Sequence, residues 1–250
     1  LPSEKTLRQL SEVLSFPIEF FYGHDLDMPP VEGTSFRALS KMTAKQRDQA
    51  LGAGALAMAL SDWIDESFNL PQPNIPQYER LDPETAAIGL RSEWSLGERS
   101  IKNIIHLLEY QGVRIFSLSE DSLNLDAYSF WRDDLPYIFL NTTESAERRR
   151  MDCAHELGHL VLHGRGGARG REAEKEANQF GSAFLMPRSS LIAYAPRGGT
   201  LRHVIRAKKR WSVSASNLVY RMRELDMLTE WQARTLFIEI SRRYGRTERA

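Results

Sequence analysis

The ten residues Ala154-His155-Glu156-Leu157-Gly158-His159-Leu160-Val161-Leu162-His163 constrain this chain more than any other stretch. Positions four apart lie about one turn apart on one face of a helix, so His155 and His159 can hold one metal ion between them. Glu156 falls beside that pair. A neutral imidazole binds zinc, and a neighbouring carboxylate can take the proton of a water that the metal acidifies. H-E-x-x-H is the device that zinc metallopeptidases build from these residues. The bare pattern also arises on ordinary surface helices, so its flanks decide. Met151, Ala154, Gly158, Val161 and Leu162 recur at helical spacing, which makes Ser145 to His163 one amphipathic helix packed on a core. Glu144 and Glu147 suit its positive end.

A catalytic zinc commonly has three protein ligands and one open position. The metzincin arrangement would need Gly and His where this chain has Leu162 and Arg165, which excludes that class. The third ligand is therefore sought on a second helix, starting at Arg171, which offers Glu172, Glu174 and Glu176. Ala173, Ala177, Phe180 and Phe184 share one face of it, and Pro187 is read as its stop. Glu174 is preferred because it stands one turn before Asn178, whose amide can orient a ligand; Glu176 and Glu172 follow. Without the His pair, such a run would read as a solvated helix face. His163 lies one further turn along and is read as support for the site in preference to a direct ligand.

Three motifs lie within one short region: AHELGHLVLH, the Glu174–Phe180 run EKEANQF, and Phe184-Leu185-Met186-Pro187. Together they resemble the ImmA/IrrE metallo-endopeptidase family. The resemblance implies a zincin-like α+β fold and Zn2+ as cofactor, with His155, His159 and Glu174 as ligands and Glu156 as general base. It implies a protein substrate, a helix-turn-helix repressor whose cleavage switches on mobile-element or stress-response genes. The flanks resemble longer regulators in which an Xre-type DNA-binding module precedes the peptidase domain.

The rest of the chain is read around that centre. The lone Cys153 excludes an internal disulfide framework, and no apolar run reaches the ~18 residues of a membrane span. A cytoplasmic setting is expected, with no secretory signal at the start. The chain opens at Leu1 without Met and is read as a fragment whose natural N-terminus is removed. Residues 1–22, with Leu7, Leu10 and Leu14 on one helical face, resemble the end of a helix-turn-helix module whose recognition helix is missing. Residues 23–82 are expected to be two linkers, the first Gly23 to Thr34, around a long helix in Met42 to Asn69, where Gly52 and Gly54 permit close approach by a neighbour.

Residues 83–196 are expected to form the metallopeptidase domain. Helices are read at Thr85 to Trp94 and Ser100 to Gln111. Runs at Val113 to Leu118, Ala127 to Trp131 and Tyr137 to Leu140 are read as a small antiparallel sheet. A sheet edge beside the His helix can pair with an extended substrate backbone. The Gly-rich loop from Gly164 to Gly170 reads as a flexible connection, and Tyr194 is one candidate among the phenols for stabilising an oxyanion. Residues 197–250 read as three basic helices, Leu201 to Lys209, Ser214 to Leu225 and Thr229 to Tyr244, with 13 Lys and Arg against 5 Asp and Glu. Such an end either binds nucleic-acid phosphates, through residues such as Arg221 and Arg223, or caps the acidic half of the molecule; the cap is favoured, since charge alone gives no base readout. A second reading of function stays beside the peptidase: a DNA-binding regulator that uses the zinc fold as a sensor or partner-binding scaffold. A structural zinc site needs neither a general base nor an open position, whereas hydrolysis needs both.

Overall fold

The structure is a computed structural model describing residues 2–30, 43–79, 81–118, 127–164, 170–196 and 199–245. Most of the loop from Gly164 to Gly170 and the end of the first linker, residues 31–34, lie outside the described residues. The mixed α+β architecture has ten helices among those residues and one three-stranded sheet.

The helices are α1 (Glu4–Leu14), α2 (Ala44–Ser67), α3 (Pro83–Glu93), α4 (Ile104–Tyr110), α5 (Ala146–Leu162), α6 (Arg171–Leu185), α7 (Arg188–Tyr194), α8 (Leu201–Lys208), α9 (Ala215–Glu224) and α10 (Glu230–Tyr244). Local signals start several of them. Ser145 caps α5 by accepting from Arg148 N, Asp82 caps α3 with Pro83 in its first turn, and Thr43 and Thr229 each form a reciprocal capping box with a Gln three residues on. Pro187 does end α6, but it also opens α7, because a fixed φ near −55° suits the residue that enters a helix. Tyr194, at the end of that helix, lies 3.4 Å from the Arg210 guanidinium at its ring centre, a cation–π contact.

The strands are β1 (Arg114–Ser117), β2 (Ala127–Arg132) and β3 (Leu135–Leu140), in the order β1-β3-β2. The expectation of an antiparallel sheet is half corrected. Asp133, in the left-handed region at φ 53°, makes the tight turn that pairs β2 antiparallel to β3. β1 pairs parallel to β3, with Ile115 opposite Ile138. A parallel partner must come from a longer connection, and such pairing carries no local sequence mark. β3 is thus the central strand, and β2 is an edge among the described residues.

The two faces of the sheet divide by the strand alternation. Tyr128, Phe130, Tyr137 and Phe139 project to one side, where their rings stack at 4.6–6.2 Å and Met58 of α2 closes over them. α2 is fixed there by ion pairs from Asp62 to Arg132 and from Asp65 to Arg114. At Gly54, an added Cβ would lie 3.1 Å from the Tyr128 hydroxyl, whereas Gly52 faces open space. Ala127, Ile138 and Leu140 project to the other side, into the main core with Cys153, Ala154, Leu157, Leu160 and Val161 of α5. The molecule around the sheet is therefore layered as helix, sheet, helix.

Residues 71–78 have no regular structure, yet they are held down. Asn74 N donates to Gln111 O, Tyr78 N donates to Val161 O, and the Gln77 amide donates to Leu160 O. Gly112 is required at the first of these contacts: its φ is +83°, and a Cβ there would come within 2.5 Å of the Gln72 backbone.

The basic end packs as a cap. Trp211, Val213, Leu218, Val219 and Met222 are fully buried in the core that contains α5 and α6. Arg221 is corrected as a phosphate-binding residue: it is 3 % exposed and paired with Glu84 of α3 at 2.6 Å and with Glu224 at 3.7 Å. Its partner comes from a distant part of the chain, so the run of basic residues on α9 gave no sign of it.

Candidate metal centre

α5 and α6 lie unusually close. A Cβ on Gly158 would meet Ala177 Cα and O at 3.1 Å, and a Cβ on Gly181 would meet His155 N at 3.0 Å. These two glycines let backbone touch backbone at two points along the crossing. Gly158→Val should therefore cost about 1–3 kcal/mol through overpacking, read as a lower denaturant midpoint, and should weaken metal binding in parallel because it pushes α6 from α5.

The close crossing brings His155 and His159 of α5 to Glu174 of α6. Their Nε2 atoms are 3.1 Å apart, and the Glu174 oxygens lie 3.7 Å from His155 Nε2 and 3.6 Å from His159 Nε2. Donors bonded to one tetrahedral ion at ~2.0–2.1 Å are separated by about 3.3–3.4 Å, which these distances bracket. Among the described residues, this trio is the group whose donor atoms converge within 4.8 Å. Glu172 points elsewhere, to Lys175 at 3.0 Å, with a side chain 71 % exposed.

The hydrogen bonds around the trio fix which nitrogens carry protons. Asn178 Nδ2 donates to Glu174 O at 2.8 Å, so Asn178 Oδ1 is the atom 3.1 Å from His155 Nδ1. That oxygen can only accept. His155 is therefore protonated on Nδ1, and its Nε2 is bare. On the other ligand, the Glu176 carboxylate lies 3.0 Å from His163 Nε2 and must accept from it. His163 Nδ1 is then free to accept from His159 Nδ1, 2.9 Å away, which leaves His159 Nε2 bare as well. Burial pushes the pKa of both His155 and His163 down, which keeps these rings neutral and the proton pattern intact. Two imidazole lone pairs and a carboxylate thus converge with no proton between them. That donor set fits a metal cation and leaves little else to balance it.

His163 thus stands between His159 and Glu176, and Glu176, read from the sequence as a reserve ligand, completes the chain behind it. The two-residue step from Glu174 turns Glu176 by about 200° around α6, away from the trio and toward His163. His163→Phe should leave the fold in place and lower metal affinity about 10–100-fold, because His159 loses the partner that sets its proton; titration against a chromogenic chelator measures this.

Glu156 is 3 % exposed and its Oε2 accepts from Ser129 Oγ at 2.6 Å; the same hydroxyl lies 3.3 Å from Glu156 O. Ser129 stands on the β2 face that packs against α5. No sequence motif singles it out, and only the strand alternation with Ala127 and Trp131 places it there.

The Peptidase_M78 family, described as the IrrE N-terminal-like domain, matches residues 108–223. The matched stretch holds every residue of this centre, and it runs on through α8 and nearly all of α9. No curated protein matches the chain.

Proposed function

We propose, from the match of residues 108–223 to the Peptidase_M78 metallopeptidase family as premise, that the chain is a zinc-dependent endopeptidase. His155, His159 and Glu174 hold the ion, Glu156 is the general base, and Asn178 and His163 orient the two imidazoles. The observation that carries the reading is the pairing of a trio of converging donors among the described residues, one fewer than a tetrahedral ion takes, with a buried carboxylate one residue from the first ligand. A structural zinc site would close its fourth position with another side chain. Two nitrogens and one carboxylate suit zinc among the common ions.

When bound, zinc polarises a peptide carbonyl and lowers the pKa of a water in its open position. The Glu156 carboxylate takes a proton from the attacking water as the new C–O bond forms. It then gives that proton to the amide nitrogen as the C–N bond breaks. The Ser129 hydroxyl holds one oxygen of Glu156, so the base waits in a single orientation. An edge strand on the β2 side offers its backbone to an extended substrate segment. The proposed substrate is a helix-turn-helix repressor, a reading supported by the motif resemblance.

Elemental analysis of protein purified without added metal, paired with cleavage of candidate repressors, tests the proposal. The expected result is one zinc per chain, with cleavage lost on chelation and restored by stoichiometric zinc. Zinc-loaded protein that cuts neither a candidate repressor nor an unfolded protein substrate would remove the peptidase reading.

A further inference from the structure

A second cleft, of about 880 Å³, opens at the start of α5, where α4, α8 and the end of α10 meet it. Its size is that of a small-molecule site. None of its lining residues belongs to the metal centre; along α5, Arg150 and His155 are five residues, roughly 7–8 Å, apart.

The lining has two parts. Ile104, Ile205, Val213 and Tyr244 give it a hydrocarbon and aromatic wall. Lys102, Arg149, Arg150, Lys208 and Lys209 surround that wall with five cations. Among the described lining residues, Glu147 is the one carboxylate, and it is engaged by Lys208 at 3.3 Å. Arg150 is 7 % exposed, and its guanidinium donates to the backbone carbonyls of Ile101, Lys102 and Trp211. Those carbonyls hold it in place but carry no net charge, and no carboxylate among the described residues forms an ion pair with it. Burial lowers its pKa, which is the mark of a cation that lacks a counter-ion. Beside it, Arg149 Nε is buried with no hydrogen-bond partner among the described residues. The positive end of the α5 dipole adds to the same potential. A buried donor without an acceptor is costly, and an anion seated beside Arg149 would relieve that cost.

We propose that this cleft binds a small organic anion, a carboxylate or phosphate ester that carries an apolar body. The head group meets Arg149 and the flanking lysines, and the body lies on the partly exposed Ile205 and Tyr244, with the buried Ile104 and Val213 backing the wall. Charge without the apolar part, or the apolar part without charge, fills only half of the site.

Decanoate, decanol and inorganic phosphate separate these contributions, with binding to the full chain followed by calorimetry and ligand-detected NMR. Decanoate should saturate one site per chain, with decanol and phosphate each weaker by at least about tenfold. The double variant Lys102→Glu/Lys209→Glu reverses two exposed charges and should lower decanoate affinity by a similar factor while its unfolding temperature stays near that of the parent. Ala146→Trp, which fills the cleft without removing a charge, should also abolish binding. Equal affinity for decanol would reduce the site to an apolar crevice, and equal affinity for phosphate would mean an adventitious ion only. Either result, or decanoate binding untouched by both variants, would overturn the proposal.

Discussion

Glu156→Gln is expected to keep its full complement of metal and to cut peptides about 10²–10⁴-fold more slowly. The amide has nearly the shape of the carboxylate, and its oxygen can still accept from Ser129 Oγ, so the α5 packing has no reason to change. What it lacks is the capacity to take a proton from water and hand it to a leaving nitrogen. Glu156 lies outside the converging donor trio, so metal content is the control for the division of roles. Metal stoichiometry and initial cleavage rates, measured on the same preparation, decide the matter. A variant that loses its metal would place Glu156 among the ligands; one that keeps its rate would leave the protein without its base.

Glu174→Ala should weaken metal binding by more than the roughly 10–100-fold typical of an outer partner, because it removes one of three donors outright. Glu172→Ala should do almost nothing. Glu172 stands on the same helix two residues earlier, but it is exposed and bonded to Lys175. The two variants alter charge and helix propensity alike and differ in the direction and burial of the side chain. Competition with a chelator of known affinity gives the comparison directly. Equal losses would overturn the choice of Glu174 as ligand.

The parts of the site that were legible in the sequence share one property: they are local. His155, Glu156 and His159 sit on one helix, and the helix limits fell within a residue of the expected ones because a Ser cap and a 3.6-residue period mark them. Glu174 and Asn178 were readable for the same reason, being one turn apart on α6. The contacts that cross between elements were not readable. Ser129 looks like any strand serine until the sheet brings it under α5. Glu176 could be placed in the region but not assigned its partner, since the register between α5 and α6 is set by the glycine contacts. Arg221 carries a charge that suggests a contact to nucleic-acid phosphates, and the fold gives it Glu84 of α3 instead. The parallel pairing of β1 with β3 belongs to the same class, because a strand's own residues do not name its neighbour.

The backbone contact between α5 and α6 also bears on the thermodynamics of metal uptake. Main-chain atoms in van der Waals contact leave no rotamers to freeze, and the crossing is held by a core that includes Phe180, Ala183 and Phe184. An ion bound by the proposed trio would enter a cradle that is already standing, unlike a zinc finger, whose metal organises the chain as it binds. Loading should accordingly show a small heat-capacity change and leave the amide circular dichroism unaltered, and the apoprotein should unfold cooperatively without the ion.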